Sequence, residues 1–130
     1  YSHDFKQVDV PHAPLQPYYI PGSSNVPNWA GLYSGITATL PGFYGPQGRN
    51  IRIQSTFADA LDSLHEVQVG DHSVTNFEME TSGIYALAHL LGHEAHSFSA
   101  LLANRATGDF HPNPSEPVEA LITKVLDWAV

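Results

Sequence analysis

Two short stretches of this 130-residue chain set chemically useful side chains two positions apart. Gln47 and Arg49 pair an amide, which donates and accepts, with a permanent cation. Glu78 and Glu80 flank Met79 and offer two carboxylate acceptors around a soft apolar side chain. A third cluster, Asn104-Arg105, repeats the amide and guanidinium pairing. Together these groups can grip a polar ligand and stabilise negative charge developing on it. Thiolate chemistry, disulfides and Cys-based zinc sites are excluded, because the chain has no cysteine. His89, His93 and His96 approach the i, i+4 spacing of metal ligands, but Gly92 is expected to end the helix before His93. No metal site is expected from them.

The elements that must carry these groups follow from the apolar pattern. Ser34–Leu40 is small and β-branched and reads as a buried strand stopped by Pro41-Gly42, with a turn-rich loop from Phe43 to Arg49. The segment 51–62 can hold a short helix. His65–Val69 and His72–Phe77 read as strands joined by Gly70-Asp71. Met79–Leu91 has helical spacing closed by Gly92, Ala95–Ala103 suits a strand buried on both faces, and a last helix opens between Asn113 and Pro117. Residues 1–33 are irregular and Pro-rich, with a short extended piece near Tyr18–Ile20. The order is that of an α/β fold, in which ligands bind beyond the carboxyl ends of strands. All three polar clusters fall at such ends. Each also has a plainer reading: Glu78 and Glu80 as helix-start charge, Arg49 and Arg105 as surface ion-pair partners, Gln47 as a turn residue.

Charge narrows the partners. With 13 Asp+Glu against 5 Lys+Arg the net charge is −8, which disfavours nucleic acid. No apolar stretch is long enough to span a membrane, and no signal peptide opens the chain, so a cytoplasmic protein is expected. Val10 to Gly48 contains no Asp, Glu, Lys or Arg and holds seven of the ten prolines. Such a segment is either a packed loop region of its own domain or is covered by surface this sequence does not contain. The second reading is the one expected here.

Three stretches carry a family resemblance. Gly35-Ile-Thr-Ala-Thr-Leu-Pro-Gly-Phe-Tyr-Gly-Pro-Gln-Gly-Arg49 resembles the base-recognition stretch of uridine phosphorylases. Val74-Thr-Asn-Phe-Glu-Met-Glu-Thr-Ser-Gly-Ile-Tyr85 is similar to their Glu-Met-Glu ribose segment, and Leu101-Leu-Ala-Asn-Arg-Ala-Thr107 to the next strand end. The Glu-Met-Glu triplet alone is shared by purine and methylthioadenosine enzymes; the order of all three stretches over residues 34–126 is what is specific.

The resemblance implies the C-terminal half of a nucleoside phosphorylase α/β/α sandwich with a mixed sheet. Residues 1–130 would form a partial domain, with the base and ribose sites in 34–130 and the N-terminal phosphate-binding half absent. The implied activity is phosphorolysis of uridine to uracil and ribose 1-phosphate by the full-length parent, a pentosyltransferase of pyrimidine salvage. Phosphate is the co-substrate and no cofactor is needed. Gln47 would pair with O2 and N3 of the base, and Arg49 would donate to O4, where charge gathers as the glycosidic bond breaks. These two carry the catalytic assignment. Phe43 would stack on the base; Phe77, Glu78, Met79 and Glu80 would line the substrate, with Glu80 accepting from the ribose diol. Arg105 would brace the base loop. Asn104 stands where purine-specific relatives place an Asp, and an amide cannot act as that acid, which favours a pyrimidine.

The remaining cations, Lys6, Arg52 and Lys124, and the absence of a Gly-rich loop opening a helix, leave phosphate to be held elsewhere. The family assembles as dimers or hexamers, so a homo-oligomer of the full-length protein is expected and the isolated chain is expected to be inactive. Alternatives are a non-catalytic nucleoside-binding or structural half-domain, a nucleosidase, or a phosphorylase of another nucleoside.

Overall fold

The computed structural model describes residues 5–50 and 52–130. Its centre is a three-stranded mixed sheet in the order β3-β5-β4, from β3 (Ile36–Thr39), β4 (Gln68–Val69) and β5 (His72–Glu78). β3 and β5 are parallel, with Ala38 opposite Phe77 and Thr39 opposite Glu78. β4 and β5 are antiparallel, with Val69 opposite His72. Gly70-Asp71 is therefore a two-residue turn, and Gly70, at φ +60°, takes the positive dihedral such a turn needs. Three helices accompany the sheet: α1 (Ala58–Asp62), α2 (Thr81–Leu91) and α3 (Ser115–Ala129). The chain is thus of the α/β class with a mixed sheet, as its pattern of elements implies.

Two-stranded ribbons lie on either side in sequence. β1 (Lys6–Gln7) pairs antiparallel with β2 (Tyr18–Tyr19), and β6 (Ala103–Asn104) with β7 (Asp109–Phe110). Gly92 closes α2 in the left-handed conformation; its N–H bonds to the His89 carbonyl and that of His93 to the Ala88 carbonyl. This is a Schellman closure, available to glycine without steric cost.

Several expected bounds shift. The segment 51–62, whose first residue lies outside the described residues, does hold a short helix, Ala58–Asp62. His65–Val69 is not one strand: Leu64–Glu66 is a 3-10 turn, and only Gln68–Val69 pairs. α2 begins at Thr81 rather than Met79, because β5 runs on through Glu78.

The larger correction concerns Ala95–Ala103. It has no ladder partner until Ala103, and Ser97, Ser99 and Leu101 are exposed, so it is not a strand buried on both faces. Side-chain hydroxyls take several of its polar contacts instead. Ala95 N–H donates to Ser23 Oγ and Ser97 N–H to Tyr85 Oη, both at 2.8 Å, while Ser99 Oγ accepts from Asn76 Nδ2 at 3.2 Å.

The interior is small. Among the described residues Phe5, Val10, Ala60 and Val67 are the buried apolar side chains, and no large side chain is fully enclosed. An open cavity of about 1140 Å³ runs between the sheet and the Pro-rich segment, lined by Val10, Tyr19, Leu32, Ile36, Leu64 and Phe98 among others. Leu15 and Tyr33 of the charge-free segment are 83% and 87% exposed, so this chain does not cover them. An aromatic cluster ties three distant segments together. Trp29 lies 5.4 Å from Phe98 and 6.3 Å from Trp128, and His96 lies 5.1 Å from Trp128.

Candidate functional site

The parallel register places the C-terminal ends of β3 and β5 side by side, and each end leads into one polar cluster. Beyond β3, Leu40 N–H bonds to the Glu78 carbonyl at 2.8 Å, and the chain turns through Pro41-Gly42 into the 43–49 loop. Inside that loop Gly48 N–H donates to the Gly45 carbonyl and Arg49 N–H to the Tyr44 carbonyl, both at 2.9 Å. Ser55 Oγ–H anchors it from outside by donating to the Gly45 carbonyl at 2.5 Å. Gly48 sits at φ +68°, and a Cβ there would stand 2.5 Å from Leu61 Cδ1, so the loop closes tightly on α1.

Five of the expected residues form one contiguous group. Arg49 donates to Gln47 Oε1 at 2.6 Å and to the Phe43 carbonyl, and its guanidinium lies 3.7 Å from the Phe43 ring centroid. Arg105 donates to the Gln47 carbonyl at 2.6 Å and lies 5.3 Å from the Phe77 ring centroid. Arg105 therefore braces the loop that carries Gln47 and Arg49. Burial, then the nearby charge of Arg49, lower the Arg105 pKa, but a guanidinium remains protonated throughout the physiological range.

The details depart from a site open to a base. Gln47 is buried, 6% exposed, and its Oε1 is engaged by Arg49. One face of Phe43 is occupied by that same guanidinium, and Tyr44 meets its ring edge-on at 5.2 Å. A base seated here requires Arg49 to move off Gln47 and Phe43. None of Phe43, Gln47, Arg49, Phe77, Glu78, Met79, Glu80 or Arg105 lines the large cavity.

At the end of β5 the two carboxylates have different surroundings. Glu78 Oε1 accepts from Thr39 Oγ1 at 2.7 Å, and Oε2 accepts from the N–H groups of Glu80 and Thr81 at 2.6 and 2.7 Å. Burial works to raise its pKa, but these hydrogen bonds outweigh burial and hold the carboxyl below the usual range. Met79 and Glu80 are exposed, and the Glu80 side chain has no hydrogen-bond partner among the described residues. Asn104 Oδ1 accepts from Ala106 and Thr107 N–H at 3.0 and 3.4 Å, so it shapes the β6–β7 turn.

The histidines are spread out. His89 meets Phe5 at a tilt with ring centroids 5.2 Å apart, and His96 stacks near Phe98 at 6.2 Å; among the described residues no group of three or more His, Cys, Asp or Glu side chains is placed to hold a metal ion. Thr39, Thr81 and Ser82 complete the strand-end cluster: Ser82 N–H donates to Thr39 Oγ1 at 2.9 Å, and Thr81 Oγ1 lies 3.0 Å from Ser97 Oγ. A threonine closing a β-branched run carries no sequence signal of such a role.

Fold and strand ends together define an α/β chain that gathers two polar clusters at one edge of a parallel strand pair. The chain is 39% identical over 79 residues to the uridine phosphorylase of Thermococcus kodakarensis (strain ATCC BAA-918 / JCM 12380 / KOD1). That match takes in 58% of this chain and 27% of the relative's length. No family model matches the chain, and no solved structure matches it. No helix among the described residues is long and apolar enough to cross a membrane.

Proposed function

We propose that this chain supplies the base- and ribose-binding part of a uridine phosphorylase-type enzyme that cleaves uridine with phosphate to uracil and ribose 1-phosphate. The observation that carries the reading is the parallel pairing of β3 with β5, which sets the Gln47–Arg49 loop and the Glu78-Met79-Glu80 turn at one sheet edge. The similarity to a uridine phosphorylase supports the choice of ligand. Arg49 and Gln47 recognise the base, Glu80 accepts from the ribose hydroxyls, and Phe43, Phe77 and Met79 pack around the nucleoside. Asn104, an amide at the end of β6, offers no acid for a purine leaving group. Phosphate is held by residues other than those of this chain. Lys124 donates to the Ala30 carbonyl at 3.5 Å, and Lys6 lies on β1, which pairs with β2 and not with β3 or β5. The active species is a homo-oligomer of a longer, cytoplasmic protein, and the chain alone has no turnover.

The test is titration calorimetry of the chain with uridine. Wild type is expected to bind, and Arg49→Ala to weaken binding about tenfold or more, as for a lost charge-assisted hydrogen bond. In an active assembly the same change lowers uridine cleavage by about 10²–10³. Unchanged binding in the Gln47→Ala, Arg49→Ala double variant overturns the assignment, and cleavage without phosphate points to a nucleosidase. A second reading, a scaffold that binds no nucleoside, is favoured by the mutual pairing of Gln47 and Arg49; absence of uridine binding by wild type selects it.

A further inference from the structure

We propose that Glu78 is a positioning residue and not a ligand contact: its carboxylate latches the first turn of α2 to the end of β3 and so sets where Glu80 stands. The latch stands on hydrogen-bond geometry; only what it positions rests on the nucleoside reading above.

A carboxylate has about four lone-pair directions. Three of those on Glu78 are used, by Thr39 Oγ1–H, Glu80 N–H and Thr81 N–H. The direction of the Thr39 bond follows from its neighbour. Thr39 Oγ1 accepts from Ser82 N–H, and a carboxylate has no proton to give, so the single hydroxyl proton of Thr39 must go to Glu78. A closed ring results: β5 to β3 through Glu78 and Thr39, β3 to α2 through Ser82, and α2 back to β5 through Thr81.

A helix leaves its first N–H groups without partners inside the helix. In α2 those of Thr81 and Ser82 are satisfied by side chains projecting from two adjacent strand ends, one of them negatively charged at the positive end of the helix. Glu80, the residue before the first turn, makes no side-chain cap of its own. Its backbone N–H is instead tied to Glu78, and its carboxylate, beside the exposed Met79, has no hydrogen-bond partner among the described residues. Two carboxylates two residues apart thus divide the work: one holds the backbone and the other faces the ligand.

The test compares Thr39→Val, which removes one hydroxyl at nearly constant volume, with Glu78→Ala and Thr39→Ser in the full chain. Amide hydrogen exchange at Glu80, Thr81 and Ser82 is expected to quicken about tenfold in the first two variants and to stay near wild type in Thr39→Ser. The wild-type preference for uridine over 2′-deoxyuridine is expected to shrink both in Glu80→Gln and in Thr39→Val. Exchange rates at these amides within twofold of wild type in both variants overturn the latch. Faster exchange with the ribose preference intact in Thr39→Val overturns the positioning role. Should wild type bind no nucleoside, the functional reading falls, and the latch is judged by exchange alone.

Discussion

Gly48 shows how closely a single backbone position can govern the loop that carries Gln47 and Arg49. Its φ of +68° is one that side chains other than hydrogen rarely adopt, and Leu61 already fills the space where a Cβ would point. Gly48→Ala is therefore expected to destabilise the chain by about 1–2 kcal/mol, while Gly45→Ala, whose Cβ meets nothing within 4 Å, stays within about 0.5 kcal/mol. Urea unfolding midpoints at constant slope measure both. Of the polar groups in that loop, the residue types were legible in the sequence; their mutual engagement was not. Gln47 and Arg49 stand two apart in a turn, and whether they face a ligand or each other depends on side-chain torsions no spacing specifies.

Helix α2 takes its register from strands it does not belong to. The carboxyl of Glu78 has a folded pKa below the usual range, so its linked contribution is present at neutral pH and is lost as pH falls through that lowered folded value. The first turn of α2 is expected to loosen only in acid below the ordinary carboxylate range, and Glu78→Gln to abolish the step. The pH dependence of the Thr81 amide shift reads it directly. Pattern foretold the end of this helix well, since Gly92 closes it as expected, but missed its start by two residues. A Schellman closure is local and is written in one glycine; the entry is tertiary, because Glu78 and Thr39 together replace a side-chain cap from Glu80.

Taken as one body, the chain is under-enclosed. It exposes 9381 Å², whereas a compact monomer of its 14.2 kDa mass exposes about 6,800 Å². The difference is apolar in good part: Ile84, Leu87 and Leu91 on α2 are 55%, 59% and 68% exposed, and Ile122 and Leu126 on α3 are 52% and 59% exposed. Helical spacing sets the residues of each helix along one side of it, and nothing in the described chain covers them. The isolated chain is expected to enhance the fluorescence of an apolar dye such as ANS under native conditions, and a dye signal no greater than that of a closed globular domain would contradict the exposure. α3 has no buried residue; its Trp128 packs against Trp29, His96 and Phe98, and Val118, Leu121 and Val125 are only half-buried.

Local periodicity and turn chemistry were sufficient for the α/β class, the Gly70-Asp71 hairpin, the Gly92 helix end and the polar clusters that follow β3 and β5, because each depends on residues close in the chain. Pairing was beyond their reach. That β3 lies parallel to β5, that 95–102 has no ladder partner, that Arg105 reaches back to the Gln47 carbonyl and that Glu78 latches a helix are contacts between residues far apart in the chain, or depend on such contacts. Their energies arise only once the backbone has closed, when each unsatisfied N–H and C=O must find whichever partner the fold has brought within reach.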